Sequence, residues 1–502
     1  MFTVIKSRWP VVLLLVLGLA GILRTVRINS FPVFADEAIY VRWAQVMRSE
    51  ATLRFLPLSD GKQPLYMWGM IPFLKIISDP LAAGRFFSGL AGIGSALGVA
   101  LAAFLLFNRP RQAVMSGLLW AVLPYTVFFD RLALSDSLLV LFIVWAFNFM
   151  YLATRYLRLD MAMLGGFCLG FAWLTKSPAV FAIALTPSLV LFLPKPKPKN
   201  ILVACGLWLA AFAIAFAMYN ILRLGPEFHM IAIRNRDYVY PLSEILRHPL
   251  DPLVPHLRDS FQFYLYLATP FGLIFAVWGM LAEKFTHWRQ RLVLSAWWLL
   301  PVIVQSFVAV TFTARYLLFS VPFGVILITH ALEHLGERTK KHLLVYAGSA
   351  LIILPSLFID YQLLFSPLAA PLPRIERAGY LEEWTAGFGL KEIGEYLRAE
   401  ASLGPVLVGS EGFFGTPFDA LKLYTEGASN VRIVGVGVWI DSVHDKLISA
   451  LVDNRVFLVV NSSRFHADPD KLGLRLIYSY PKAAAPDGNR EYLLFFEVLP
   501  RK

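Results

Sequence analysis

The sequence has very little cysteine: Cys168 and Cys205 are the only two in 502 residues. Both lie in apolar runs, and no cysteine follows Cys205. A disulfide framework and a thiolate metal site are therefore excluded from the polar C-terminal part of the chain. The two cysteines themselves are typical of small side chains packed among apolar neighbours.

Charge is also scarce. Only 16% of residues are charged, whereas 57% are hydrophobic, and the mean hydropathy is +0.61. A soluble domain usually carries about a quarter charged residues. So much apolar surface does not fit the core of one soluble domain. The composition therefore predicts a chain that is largely dissolved in lipid.

The charge that is present is mostly basic, with 46 Lys and Arg against 34 Asp and Glu and a net charge of +12. In a membrane protein, basic residues collect in short cytoplasmic loops and set the orientation of the spans. The sequence has no basic and aromatic module of the kind that binds nucleic acid. Nucleic acid is therefore not expected as a partner.

Long apolar runs recur along the first two thirds of the chain. A membrane-spanning helix needs about 20 mostly apolar residues, and by this criterion we predict about eleven spans. The first run has no small-residue cleavage pattern after it and is expected to be a retained signal anchor. The predicted spans are residues 10–28, 82–107, 113–130, 137–154, 161–175, 178–194, 201–221, 263–282, 292–312, 316–334 and 342–360.

The loops between these runs alternate in character. If the N-terminus is cytoplasmic, every second loop is short and basic, as the positive-inside rule requires. An odd number of spans then places the C-terminal part outside the cytoplasm. Two of the outer loops are long, residues 29–81 and 222–262. The inside bases are Lys6, Arg8, Arg109, Arg111, Arg155, Arg158, Lys195, Lys197, Lys199, Lys284, Arg289, Arg291, Arg338, Lys340 and Lys341.

From about residue 361 the composition becomes that of a soluble domain. Helical and strand patterns alternate there, which predicts a small α/β domain with a mainly parallel sheet. We therefore expect a membrane domain over 1–360 and an extracytoplasmic α/β domain over 361–502. Helices are predicted at 389–401, 418–424 and 442–452, and strands at 406–408, 431–436, 456–460, 474–480 and 491–498.

Two adjacent acids, Asp36 and Glu37, follow the first span at the outer membrane boundary. One interpretation is a general base with a neighbour that tunes it. The other is the first turn of a helix, where acidic side chains are favoured. Spacing alone does not separate the two interpretations.

Several more charged residues lie at the predicted outer ends of the spans. Each has an ordinary explanation: an anchoring lysine, a snorkelling arginine, or a pairing of Arg131 with Asp136. Orientation, however, requires no positive charge on the outer side. A cationic site there would suit a lipid phosphate and the charge of a leaving group. The residues concerned are Lys62, Arg85, Arg131, Asp136, Lys176 and Arg315, together with Tyr316.

Five of these elements resemble the family 39 glycosyltransferases of the GT-C fold, which include protein O-mannosyltransferases and aminoarabinose transferases. The resemblance extends over about residues 1–335, and Arg315-Tyr316 with Pro322 fits a later motif. Gln63 stands where the family has a proline. The matching elements are Asp36-Glu37, Lys62-Gln63-Pro64-Leu65, Ala82-Ala83-Gly84-Arg85, Arg131 to Asp136, and Leu174 to Pro178.

The resemblance implies a transferase that uses a sugar linked to a polyprenyl phosphate, with inversion at the anomeric carbon. Asp36 would be the base and Glu37 would orient the base or the acceptor. Asp136 would fix a basic neighbour or the sugar, and the loop 222–262 would be a lid. The candidates for holding phosphate or sugar are Lys62, Arg85, Arg131, Lys176, Arg315 and Tyr316.

Other functions stay open at this point. A transporter or flippase is the main alternative, since the break at Lys176 suits a discontinuous helix. The C-terminal domain could also capture a partner. Some relatives use a divalent metal and others do not, and His248 and His256 do not make a ligand set. The sugar, the acceptor and the oligomeric state are not encoded in any recognisable pattern.

Overall fold

The computed structural model describes residues 8–282 and 286–500. Lys6 and Lys284, two of the predicted inside bases, lie outside the described residues. The contacts divide the chain into two compact units. The first unit comprises Met1–Ile28, Ala51–Gly69 and Arg85–Ser366, and the second comprises Asn29–Glu50, Met70–Gly84 and Pro367–Lys502.

Apolar helices make up most of the first unit. Seven helices in the described part of the chain are long and apolar enough to cross a membrane. This confirms the prediction of a polytopic α-helical membrane protein. The seven are Arg8–Thr25, Pro80–Phe107, Asp136–Tyr156, Pro198–Leu224, Trp288–Val308, Ala314–Thr339 and His342–Phe365.

The remaining predicted spans are bent or short. Pro110–Val122 and Pro124–Asp130 meet at 56°, and Leu250–Leu267 and Pro270–Leu281 meet at 114°. Counting each bent pair as one span gives up to nine. Leu159–Thr175 and Ala179–Phe192 are apolar but shorter. The figure of about eleven is thus reached only by counting the bent pairs and both short helices.

Proline and local capping explain these bends. A proline begins each second helix of the bent pairs, where its missing N–H costs nothing. At the sharper bend, Thr269 has a positive φ of 64° and its hydroxyl accepts a hydrogen bond from Gly272 N at 3.2 Å. Residues 263–282 are apolar on both sides of the bend. Hydropathy alone therefore predicted one straight span there.

A buried ion pair fixes the first helix of the first unit. Arg24 and Asp130 are fully buried, with Nη2 and Oδ2 2.8 Å apart. Arg24 also donates to the carbonyl of Ala121 at 3.0 Å. There is no room for a side chain at Gly92, where a Cβ would lie 2.1 Å from Asp130 Oδ2. Removing either partner of a fully buried ion pair is strongly destabilising, because the other charge is left buried without a partner.

Backbones also approach closely between Pro270–Leu281 and Val321–Thr339. A Cβ on Gly279 would lie 2.1 Å from the carbonyl oxygen of Leu327. Small residues at helix interfaces in membranes allow this approach and the packing contacts that come with it. Gly279 is therefore a packing residue, and its lack of a side chain is required.

The segment 222–262, which was predicted to lie outside the membrane, forms short helices. Val239 forms an isolated antiparallel bridge with Ala309, with Tyr240 N donating to Val308 O at 2.8 Å. The long loop is therefore ordered, and its backbone is hydrogen-bonded to the end of the helix Trp288–Val308. Its helices are Met230–Tyr238, Leu242–Arg247 and the first part of Leu250–Leu267.

The second unit contains seven strands: β1 Val33–Phe34, β2 Ala386–Gly387, β3 Val406–Ser410, β4 Val431–Gly435, β5 Arg455–Asn461, β6 Leu474–Ala484 and β7 Arg490–Val498. β1 pairs with β2, and the other five strands form a sheet in the order β4-β3-β5-β7-β6. β4, β3 and β5 are parallel, whereas β7 and β6 are antiparallel to their neighbours. The sheet is thus mixed, with a parallel half and an antiparallel hairpin, rather than mainly parallel throughout.

Amphipathic helices cover this sheet where the sequence predicted them. Leu390–Ala401 buries Leu390, Ile393 and Leu397 at helical spacing. Proline, glycine and polar residues lie between these helices and strands, so the sequence predicts where each one begins and ends. The other helices of the sheet layer are Phe418–Tyr424 and Asp445–Ala450.

Residues 29–50, which follow the first span, pack against the C-terminal sheet domain within the second unit. β1 pairs with β2. Arg48 Nη2 lies 2.8 Å from Glu426 Oε2, and Gln45 Nε2 donates to the carbonyl of Leu423 at 3.2 Å. Sequence grouped this segment with the membrane domain, since no local pattern encodes a contact across more than 370 residues.

A buried polar network joins the sheet's strand ends. Glu411 accepts from Asn461 N and from Asn461 Nδ2, both at 2.6 Å. Lys482 donates to Asn461 Oδ1 and to the carbonyl of Glu383 at 2.9 Å. Burial raises the pKa of Glu411 and lowers the pKa of Lys482 to about 8. The network satisfies charged groups that burial would otherwise penalise.

Candidate functional site

Lys62 follows a tight turn in the first unit. Gly61 has φ of +67°, and a Cβ there would lie 2.6 Å from Arg234 Cβ. The Lys62 ammonium donates to Tyr238 Oη at 2.7 Å and lies 4.4 Å from the centre of that ring. Arg234 pairs with Asp60 at 2.6 Å. Two contacts therefore connect the Lys62 turn to the outer segment 222–262.

Lys176 lies at the break between Leu159–Thr175 and Ala179–Leu185. Its Nζ is 2.6 Å from Asp136 Oδ1, and only 3% of Asp136 is exposed. Asp136 begins the helix Asp136–Tyr156, where the helix dipole also favours a carboxylate. The carboxylate fixes a basic neighbour, which is one of the two roles that the resemblance implied for it.

Arg315 and Tyr316 complete this group from the short helix Ala314–Ser320. The Tyr316 ring centre lies 4.5 Å from Lys176 Nζ and 5.3 Å from the Arg315 guanidinium carbon. The positive charges of Arg315 and Lys62 are near enough to Lys176 to repel its ammonium group. We call Lys62, Lys176, Arg315, Tyr316 and Asp136 the cationic cluster.

Arg131 is engaged with the end of the first helix. Its guanidinium donates to the carbonyls of Leu23, Val26 and Arg27 at 2.9, 2.8 and 2.7 Å. Helix C-termini leave carbonyls without intrahelical partners, and a cation there is favourable. These contacts favour a positioning role for Arg131 over direct contact with a ligand.

Arg85 has similar surroundings in the first unit. It is fully buried and donates to the carbonyl of Ile28 at 3.1 Å. A fully buried guanidinium requires several acceptors, because its five N–H groups are otherwise expensive to desolvate. Arg85 therefore holds the chain just after the first helix, as Arg131 does.

Asp36 and Glu37 belong to the second unit, in the first turn of the helix Ala35–Ser49. Glu37 is fully buried, and its carboxylate accepts from Phe34 N at 3.0 Å. This is the capping arrangement of a helix start. The stretch is fixed further by Ala35 N, which donates to Thr385 O at 3.1 Å. The contact of Glu37 fits the helix interpretation, and the rigid turn holds Asp36 in place.

No group of three or more His, Cys, Asp and Glu side chains that could hold a metal ion occurs among residues 8–282 and 286–500. The groups gathered at the cationic cluster offer point charges, a phenol and one carboxylate. They suit recognition of an anion.

The contact of Tyr238 with Lys62 was not predicted from the sequence. Its only signal was its place in an aromatic-rich outer loop, and it lies 176 residues from its partner Lys62. Gln63, the residue that departs from the family motif, donates to Ser177 Oγ at 2.8 Å. This bond connects the Lys62 turn to the Lys176 break, which a proline could not do.

Comparison with known proteins gives one family-model match, over part of the chain, and matches of fold to solved structures. Residues 61–221 match the model of a family described as dolichyl-phosphate-mannose-protein mannosyltransferase. The fold matches ArnT from Cupriavidus metallidurans bound to undecaprenyl phosphate with a TM-score of 0.60, over 99% of this chain and 100% of that one. The chain has the fold of a GT-C glycosyltransferase. Its identity to that structure is 14%.

The GT-C fold predicted from the motifs is thus confirmed. The apo form of the same ArnT matches with a TM-score of 0.56 and 13% identity, over 99% of this chain and 100% of that one. The S. cerevisiae Pmt1-Pmt2 complex bound to its sugar donor gives 0.35 at 16% identity, over 45% of this chain and 34% of that one. No curated protein matches the chain. The family match includes Lys62, Arg85, Arg131, Asp136 and Lys176, and it does not reach Asp36, Glu37, Arg315 or Tyr316.

Proposed function

We propose that this protein transfers a sugar from a polyprenyl-phosphate-linked donor to an acceptor hydroxyl on the extracytoplasmic face of the membrane. The observation that carries the proposal is the cationic cluster, in which Lys176 contacts the Asp136 carboxylate and the Tyr316 ring and lies near the charges of Lys62 and Arg315. Basic side chains gathered in one place in a membrane protein favour an anionic ligand. The ArnT relative of the same fold is bound to undecaprenyl phosphate.

The donor phosphate would lie against Lys62, Lys176 and Arg315. As the bond between the anomeric carbon and the phosphate oxygen breaks, its electron pair passes to the phosphate. Positive groups already in position stabilise that developing charge. The Tyr316 hydroxyl would donate to the phosphate or the sugar. Asp136 would keep Lys176 oriented through their contact of 2.6 Å.

The acceptor hydroxyl would be deprotonated by Asp36 and would attack the anomeric carbon directly, which inverts its configuration. A general base contributes about 10²–10⁴ in rate. Glu37, buried and bonded to Phe34 N, would position the turn that carries Asp36. Arg85 and Arg131 would hold the end of the first helix through its carbonyls.

The segment 222–262 would act as a lid. Lys62 donates to Tyr238 in that segment, so a phosphate that binds Lys62 competes with the tyrosine hydroxyl for its N–H groups. Donor binding and lid position would therefore be coupled through this one lysine. Lids of this kind exclude water and commit the substrate.

The donor site is tested by titrating the full-length protein in detergent with undecaprenyl phosphate and following its affinity. Lys62→Met and Arg315→Met should each weaken binding about 10- to 100-fold, since hydrogen bonds to charged groups contribute about 1.5–3 kcal/mol. Arg54→Gln is the matched control, because Arg54 is an exposed base of the same unit that lies outside both the cationic cluster and the segment 222–262. Equal affinity in all four proteins would contradict the donor assignment.

A further inference from the structure

The first unit also has an apolar groove, which shares no residue with the cationic cluster. A groove of about 450 Å³ opens between Arg8–Thr25, Pro110–Val122 and His342–Phe365. Its walls are almost wholly apolar, and it has one charged residue, Arg111. The side chains that form it include Trp9, Val114, Leu118, Tyr346, Ala350 and Ile353.

The walls of this groove suit contact with lipid. Two of its three walls are helices long and apolar enough to span a membrane. Leu354 and Tyr346 on its rim are 66% and 62% exposed, as side chains that face hydrocarbon or headgroups can be. Trp9 and Tyr346 near Arg111 are the residue types that accumulate at the interface of a bilayer. The groove thus runs from the interface into the apolar layer.

Arg111 gives the interfacial end of the groove a specific charge. Its Nε lies 3.1 Å from Glu333 Oε1, its Nη1 is 3.0 Å from His342 Nδ1, and its guanidinium lies 5.4 Å from the Tyr346 ring. Nη2 is buried and has no hydrogen-bond acceptor among the described residues. The charge that Arg111 offers to a ligand therefore comes from the exposed part of its side chain, 24% of the total.

We infer that the groove binds an anionic phospholipid, with an acyl chain between the three helices and the headgroup phosphate at Arg111. The chain fits the apolar walls, and the headgroup phosphate lies against the Arg111 side chain, which is 24% exposed. The positive-inside rule places Arg111 on the cytoplasmic side, whose leaflet carries the anionic lipids. The site is independent of the proposed sugar transfer, which is assigned to the opposite ends of the helices.

The test uses full-length protein in mild detergent with mixed micelles of phosphatidylglycerol and phosphatidylcholine that carry the same acyl chains. Native mass spectrometry then gives the ratio of the two lipids retained. Wild type should retain phosphatidylglycerol about fivefold in preference, because one arginine near a lipid headgroup contributes about 1 kcal/mol. Arg111→Gln should abolish the preference, and Arg338→Gln, which changes an exposed arginine at the same end, should keep it.

A second variant keeps the test decisive if Arg111→Gln does not fold. Ala350→Trp fills the groove and should remove the retained lipid without changing a charge. Leu343→Trp, at a position 76% exposed on the same helix and outside the groove, should not. Equal retention of the two lipids by wild type would overturn the inference. So would their displacement by inorganic phosphate, or by undecaprenyl phosphate, because the groove would then be a free-anion site or part of the donor site.

Discussion

At the scale of single residues, the pair Lys176–Asp136 combines a structural and a functional role. Asp136 is nearly fully buried, and its carboxylate lies 2.6 Å from the ammonium of Lys176. Lys176 is 20% exposed in its side chain and contacts the Tyr316 ring. The Lys176 ammonium therefore neutralises the carboxylate on one side and faces the Tyr316 ring on the other.

Lys176→Gln should destabilise the protein by about 3–5 kcal/mol, because it leaves the Asp136 carboxylate buried without a partner. The double change Lys176→Gln with Asp136→Asn should recover most of the stability while donor binding stays weak. Thermal unfolding and undecaprenyl phosphate titration of both variants separate the two roles. Recovery of binding together with stability in the double variant would contradict a functional role for Lys176.

At the scale of elements, the fold depends on close approaches that leave no space for side chains. Gly279→Ala should destabilise the protein, because the new Cβ meets the Leu327 carbonyl oxygen at 2.1 Å and two helices must separate. Gly206→Ala is the matched control within an apolar helix, since nothing lies within 4 Å of its Cβ position. That control should be neutral or slightly stabilising. Melting temperatures in detergent compare the two, and equal values would contradict the close packing.

The buried network of the sheet predicts a pH dependence. The pKa of Lys482 in the folded protein is about 8, below its value of about 10.4 in an unfolded chain. Between these values the unfolded chain holds a proton that the folded chain has lost, so stability rises with pH in this window. The gain should reach as much as about 3 kcal/mol by pH 10.5.

The measurement is thermal unfolding of the full chain at pH 7 and pH 10. The melting temperature of wild type relative to Lys482→Met should increase between these two values. Lys471→Met changes a lysine that is 84% exposed in its side chain and should show no such trend. A wild-type advantage that falls as pH rises would contradict the burial of a charged lysine.

Elements were predictable from the sequence where their signal is local. Leu390–Ala401 and Phe418–Tyr424 carry an apolar stripe and fall where they were expected. The bend between Leu267 and Pro270 was missed, because hydropathy reports burial and not direction. The packing of 29–50 with the sheet, and the bond from Lys62 to Tyr238, join residues far apart in the chain, and no periodicity reports such contacts.

At the scale of the whole molecule, the alternation of basic loops predicts the orientation in the membrane. The helices establish a multi-pass protein, and the orientation of its ends is our prediction from charge. With Cys168 and Cys205 replaced by alanine, Lys197→Cys should react with a membrane-impermeant maleimide only after the membrane is opened. Ser402→Cys should react in intact cells. The reverse pattern would invert the topology and remove the extracytoplasmic assignment of the site.

The cationic cluster could be assembled in outline from sequence because its members share one predicted side of the membrane. The sequence did not separate those that contact one another from those that hold the backbone. Arg131 has the same charge as Arg315, yet it donates to three carbonyls at the end of the first helix. That distinction depends on the tertiary position of a helix terminus, which composition and spacing do not encode.

The most direct test of the central claim is transfer of radiolabelled sugar from a polyprenyl-phosphate donor to acceptors of a membrane extract, by the full-length protein in detergent. Wild type should form a labelled covalent product. Asp36→Asn should lower its rate by about 10²–10⁴, as expected for loss of a general base, whereas Glu50→Gln, an exposed acid just after the same helix, should not. Undiminished transfer by Asp36→Asn would contradict the base assignment, and solute uptake into proteoliposomes without any covalent product would contradict the transferase itself.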